Sequence, residues 1–194
     1  MRLVGSLLPP MSVVAPDHEV CTKPMKFRYV IGLGSNDGDL PAEVSLGEGR
    51  NRLVARSGAT GLQSSSLYRS APIDCAPETP NFVNAAISFH SGLTPLEMLD
   101  HCQTIEVELG RPRDHGHNQA RSLDLDILVA GDLQCATSQL VLPHPRAHLR
   151  GFVLVPMAEL DPALVIPGLL GTVAELLAEL RRDIEDVCLL KRDW

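Results

Sequence analysis

Two aspartates, Asp124 and Asp126, stand one residue apart in the otherwise apolar run Leu123-Asp124-Leu125-Asp126-Ile127-Leu128-Val129. Successive side chains of an extended strand point to opposite faces. That puts Leu123, Leu125, Ile127 and Val129 on one side and both carboxylates on the other. Like charges so placed repel each other unless a cation offsets them. Oxygen ligands with no histidine or cysteine interleaved suit magnesium, which takes one or two carboxylates and completes its octahedron with water and substrate phosphate. A strand face that is merely solvated would show the same spacing, so the pair alone leaves both readings open.

The arginines favour the metal. Arg111, Arg113 and Arg121 precede the pair and Arg146 and Arg150 follow it, so most of the cationic charge in this half of the chain flanks the two aspartates. A guanidinium fork matches phosphate oxygens in a bidentate way. Carboxylates for a cation and arginines for an anion together describe a site for a metal nucleotide. Ordinary surface ion pairing is the competing explanation.

Other phosphate and catalytic motifs do not compete. All three lysines, Lys23, Lys26 and Lys191, lie near the chain ends, and no GxxxxGK[ST] loop exists. Gly32, Gly34 and Gly38 miss the dinucleotide spacing by one residue, and GxSxG is absent. His144 and His148 are four apart but lack the glutamate of HExxH.

Aromatic residues make up only 4% of the chain, so their placement is informative. Phe82 and Asn84 share one strand face, with Ser88 further along it. A ring beside an amide suits a flat heterocycle that stacks and offers donors and acceptors at its edge. Phe152, just after Arg150-Gly151, could form the opposite wall, although a lone Phe is more often plain core.

At 194 residues and 44% hydrophobic composition the chain can bury one core. Its net charge of -7 argues against nucleic acid or anionic membrane as a general partner. The five cysteines, odd in number and without a CxxC pair, fit a reducing cytoplasm. No apolar stretch has the length of a membrane helix. Residues 1–25 read as a disordered extension, and 26–194 as a single domain.

The elements expected to hold the site are a strand over Phe27 to Leu33 ending in the turn Gly34-Ser35-Asn36-Asp37-Gly38, and a helix over Pro41 to Arg56 weakened by Gly47 and Gly49. Strands follow at Leu62 to Tyr68 and Phe82 to Phe89, with the loop Ser70 to Asn81 between them. The capping box Thr94-Pro95-Leu96-Glu97 opens a helix that Gly110 ends. Ser122 to Ala130 is a strand, and a second capping box, Thr172 to Glu175, opens a leucine-rich helix. This order predicts an α+β fold with a ferredoxin-like βαββαβ core, its antiparallel sheet carrying helices on one face, with extra C-terminal elements.

Arg121-Ser122-Leu123-Asp124-Leu125-Asp126-Ile127 resembles the RxLDLDI signature of the 6-hydroxymethyl-7,8-dihydropterin pyrophosphokinases. Gly32-Leu33-Gly34-Ser35-Asn36, Ser65 to Pro72, Asn81 to Ala86, Gln103 and Glu106 before Gly110 to Arg113, and Pro143-His144-Pro145 before Arg150-Gly151-Phe152 follow in family order over about residues 28 to 180. The resemblance implies that Asp124 and Asp126 hold two magnesium ions on ATP. Arg111, Arg113, Arg121, His144 and Arg150 would lie along the nucleotide, with Gln103 and Glu106 nearby. The pterin would stack between Phe82 and Phe152, read by Asn84 and the backbone around Ser70, Ala71 and Ile73. Its hydroxymethyl oxygen would attack the β-phosphorus of ATP, releasing AMP. Arg111, Arg113, Arg121, Asp124 and Asp126 are thus the expected catalytic set of a cytoplasmic monomer in folate biosynthesis.

The chain departs from the family at Asn118-Gln119-Ala120, where many members carry Trp-Gly-Pro, and His117 fills the cationic loop position. Nucleotide affinity is the property this should alter most. Rival readings are another two-metal enzyme on such a sheet, a nucleotidyl transferase or cyclase releasing pyrophosphate, and a ferredoxin-like binding module without turnover. The acidic charge and the lack of sheet aromatics in an RNA-binding pattern count against the last.

Overall fold

The structure, a computed structural model, describes residues 26–36, 38–72, 78–110, 121–180 and 186–194. Five strands and two helices build the frame: β1 (Phe27–Ser35), α1 (Ala42–Ser57), β2 (Thr60–Ser64), β3 (Leu67–Ser70), β4 (Phe82–Ser91), α2 (Pro95–Glu108) and β5 (Asp124–Ala130). A small hairpin, β6 (Cys135–Ala136) and β7 (Val141–Leu142), follows, then α3 (Gly151–Leu160), α4 (Val173–Glu179) and β8 (Cys188–Lys191). The main sheet runs β5-β1-β4-β3-β8 with β2 also on β4, and every pairing in it is antiparallel.

Strand alternation sorts the sheet into two faces. Tyr29, Ile31 and Leu33 of β1, Ala85, Ile87 and Phe89 of β4, and Leu125 and Ile127 of β5 pack with Leu46 and Leu53 of α1 and Met98, Cys102 and Ile105 of α2. Gly49 lets α1 close on this core, since a Cβ there would come within 2.7 Å of Leu123 Cδ2. The glycine that weakens the helix is therefore a packing residue, whereas Gly47 faces open space.

The opposite face carries Val30, Ala86, Leu128 and Val129 under Leu154 and Met157 of α3 and Val173 of α4. Helices on a single face hold for α1 and α2 only; α3 and α4 add a second layer on the other side. Val129 also moves. The β1–β5 register shifts between Val30 and Ile31, so Val129 falls in the cluster opposite that of Leu125 and Ile127. A bulge of this kind inserts one residue and reverses the alternation beyond it.

Three further boundaries differ from expectation. Gly34 and Ser35 belong to β1 rather than to the turn. The strand expected over Leu62 to Tyr68 breaks at Ser65-Ser66 into β2 and β3. Ser66 is drawn off by Glu159 of α3, which accepts from its N–H at 2.8 Å and its hydroxyl at 2.7 Å. The Ser65 carbonyl accepts the indole N–H of Trp194 at 2.7 Å. Finally, the strand expected from Ser122 starts at Asp124.

Both capping boxes form. At α2, Thr94 Oγ1 accepts from the Glu97 N–H at 3.4 Å, while Glu97 accepts from the Thr94 N–H at 2.7 Å. Thr94→Ala is expected to lower stability by about 1 kcal/mol, the usual worth of such a cap. A denaturant titration should show the midpoint falling with an unchanged slope, and kcat per folded molecule should stay at the wild-type value.

Candidate active site

The carboxylate pair lies on the sheet face that carries α3. Antiparallel register sets Asn84 of β4 opposite Gly34 of β1, and Gly34 opposite Asp124 of β5. These residues form one row across three strands, with a glycine at its centre. A Cβ on Gly34 would sit 3.5 Å from Asn84 Oδ1 and 3.9 Å from Asp124 Cβ. The bare position is a floor between an amide and a carboxylate. Asp126 stands two residues along β5 on the same face, opposite Gly32.

Both aspartates are half-buried. Arg121 Nη1 donates to Asp124 Oδ2 at 2.6 Å, and the Arg121 guanidinium lies 5.9 Å from the Phe82 ring centroid. That arginine therefore links the carboxylate with the Phe82 ring. Arg150 caps the start of α3, with its guanidinium 5.5 Å from the Phe152 ring. Burial and the neighbouring Arg146 lower its pKa, while Asp126 and Asp124 act in the opposite sense. Arg150 is thus within electrostatic reach of both carboxylates.

His144 is held to β5 by its N–H, which donates to the Leu128 carbonyl at 3.0 Å. Its ring pKa is pushed down, first by burial and then by Arg150 and Arg146, against an upward pull from Asp124. Nδ1 accepts from the Arg146 N–H at 3.2 Å. A neutral ring so arranged carries its proton on Nε2, leaving that atom as a donor.

Among the pterin-side expectations, Asn84 is buried, and its Nδ2 donates to Ser70 Oγ at 2.9 Å. Ser70 pairs with Phe82 across β3 and β4. Ala71 follows β3 directly and is half-buried. Glu106 lies against the outer edge of β5, where its carboxylate accepts from the Leu125 N–H at 2.6 Å, between the two aspartates. There it covers the edge of the sheet. Gln103 is exposed, about one turn earlier on α2. Arg111, Arg113 and Ile73, and the departure at Asn118-Gln119-Ala120, lie outside the described residues.

Two residues gain a place that the motif reading gave them only as letters. Gly34 is the floor of the row. Asn36 Oδ1 accepts from the Arg121 N–H at 2.8 Å, and Nδ2 donates to the Pro80 carbonyl at 3.2 Å. No local pattern signals the second role, because its partners are distant in sequence.

The chemistry open to this arrangement is that of a small polyanion and a flat heterocycle held side by side. Residues 30–162 match the family profile described as 7,8-dihydro-6-hydroxymethylpterin-pyrophosphokinase (HPPK). The chain belongs to this pyrophosphokinase family. It is 40% identical over 153 residues to the 2-amino-4-hydroxy-6-hydroxymethyldihydropteridine pyrophosphokinase of Methylorubrum extorquens, covering 79% of this chain and 93% of that one. The enzyme of the same name from Pseudomonas aeruginosa is 43% identical over 147 residues, 72% of this chain and 84% of that one. The fold is shared with a Plasmodium falciparum HPPK-DHPS structure at a TM-score of 0.67 and 16% identity, covering 86% of this chain. The chain spans about half the length of that structure, 49%. The chain is thus a pyrophosphokinase of folate synthesis. No helix among the described residues is long and apolar enough to cross a membrane.

Proposed function

We propose that the row Asn84–Gly34–Asp124, with Arg121 on its carboxylate, is where a pterin alcohol meets ATP. The reaction transfers pyrophosphate from ATP to the hydroxymethyl group of 6-hydroxymethyl-7,8-dihydropterin, giving AMP and the pterin diphosphate. A bond forms between the hydroxymethyl oxygen and the β-phosphorus. The bond from that phosphorus to the oxygen bridging it to the α-phosphorus breaks, and the hydroxyl proton is lost. The observation that carries this reading is register: one strand row sets the Asn84 amide and the Asp124 carboxylate on one face with only Gly34 between them.

Asp124 and Asp126 fit magnesium, being paired, half-buried, oxygen-only donors on one face. They would hold it, and it would supply neutralisation of charge on the polyphosphate. Arg121, Arg150 and His144, with Arg111 and Arg113, bind the phosphate oxygens, and Gln103 and Glu106 flank the nucleotide. Phe82 and Phe152 stack the pterin, and Asn84, with the backbone around Ser70, Ala71 and Ile73, reads its edge. The residues position and neutralise; none needs to act as a covalent nucleophile.

The sheet order β5-β1-β4-β3 supports a ferredoxin-like reading of the core, with β2 and β3 together as its second strand. The enzyme is read as a cytoplasmic monomer. Purified protein with magnesium, ATP and the pterin alcohol is expected to release AMP in step with pterin diphosphate. Release of ADP, or of pyrophosphate as a nucleotidyl transferase or cyclase would give, would overturn the assignment.

A further inference from the structure

We infer that Asn36 is a positioning residue that sets the Arg121 guanidinium in place. The residue closes three hydrogen bonds at the end of β1. Its N–H donates to the Arg121 carbonyl at 3.1 Å, its Oδ1 accepts from the Arg121 N–H at 2.8 Å, and its Nδ2 donates to the Pro80 carbonyl at 3.2 Å. Arg121 is thus bracketed through both of its peptide groups. It lies just ahead of β5, outside the sheet's own ladder, so Asn36 supplies the pairing that a strand partner would otherwise give.

The third bond reaches the chain just before Phe82. The guanidinium that Asn36 steadies bonds Asp124 and lies over the Phe82 ring. One amide therefore ties the segment ahead of the aromatic wall to the segment ahead of the acidic strand. Neither alanine nor serine can span both partners. An arginine has four side-chain torsions, and fixing its backbone leaves only those to be ordered by the ligand.

The inference rests on the assignment of Arg121 to the nucleotide phosphates, and the test separates the two. Steady-state kinetics with both substrates are measured for N36A, R121A and the double variant, with Tm recorded for each. N36A is expected to lower kcat/KM for ATP by about tenfold, as loss of a hydrogen-bonded anchor does. In the R121A background the same change should cost less than twofold, because the group it positions is already gone.

Equal losses in both backgrounds would make Asn36 a structural residue and overturn the inference. So would wild-type kinetics in N36A beside a damaged R121A. A silent R121A removes the assignment of Arg121, and the inference with it. If N36A fails to fold, the same cycle is read on N36S.

Discussion

Asp124→Asn and Asp126→Asn are each expected to cut kcat by about 10³-fold or more at saturating magnesium and ATP. Each change keeps the shape of the side chain and removes one negative charge from the face that holds the cation. By the rate relation this corresponds to about 4 kcal/mol of lost transition-state stabilisation. The two variants should differ in one respect. Asp124 also receives Arg121 at 2.6 Å, so D124N releases a guanidinium as well as weakening the metal. D126N should leave that contact in place. Magnesium titration of turnover reads the first effect, and the unfolding midpoint recorded in parallel separates lost chemistry from lost fold. Turnover within tenfold of wild type in either variant would remove the pair from the centre of the mechanism.

Enlarging Gly34 should block the pterin while leaving the frame intact. The position has ordinary extended backbone, and its Cβ would meet Asn84 Oδ1 and Asp124 Cβ at contact distances of 3.5 and 3.9 Å. Alanine therefore fits the protein, and any penalty it carries must come from the ligand. Gly34→Ala should raise the pterin KM several-fold, whereas Gly34→Val, whose branches stand over the floor between amide and carboxylate, should raise it about a hundredfold or more, about 3 kcal/mol. The KM for ATP should change much less. A graded rise in pterin KM across glycine, alanine and valine supports a floor beneath the ring. Equal loss for both substrates would instead point to distortion of β1.

What could be read in advance follows from how far each interaction reaches along the chain. The acidic pair was legible because strand alternation has a period of two and needs only neighbouring residues. The capping boxes were legible because all four of their groups lie within one helical turn. Val129 was misplaced because the bulge is set by pairing with β1, roughly a hundred residues earlier in sequence. The break at Ser65-Ser66 depends on Glu159 and Trp194, far down the chain.

The helix α3 escaped notice because Gly-Phe-Val-Leu-Val-Pro-Met is apolar on every side, contains Pro156 and begins without a side-chain cap. Its period is hidden, yet it forms because one side packs on Ala86 and Val129 while the other meets α4. Asn36 shows the same limit within the site. The motif marked the residue, but only the fold reveals that its amide serves Arg121.

The placement of β1 between β4 and β5 also bears on how the molecule is made. The glycine-bearing strand precedes both of its neighbours in the chain, and each is encoded well after it. Until Phe82–Ser91 has been synthesised, β1 has no lateral partner, and until Asp124–Ala130 follows, one of its edges stays open. A strand rich in Val, Ile and Leu with unpaired edges is a template for wrong pairing. The strand that carries Gly34 is thus held on both edges only after Asp124–Ala130 has emerged, and a chain stalled between its two partners keeps one of those edges open.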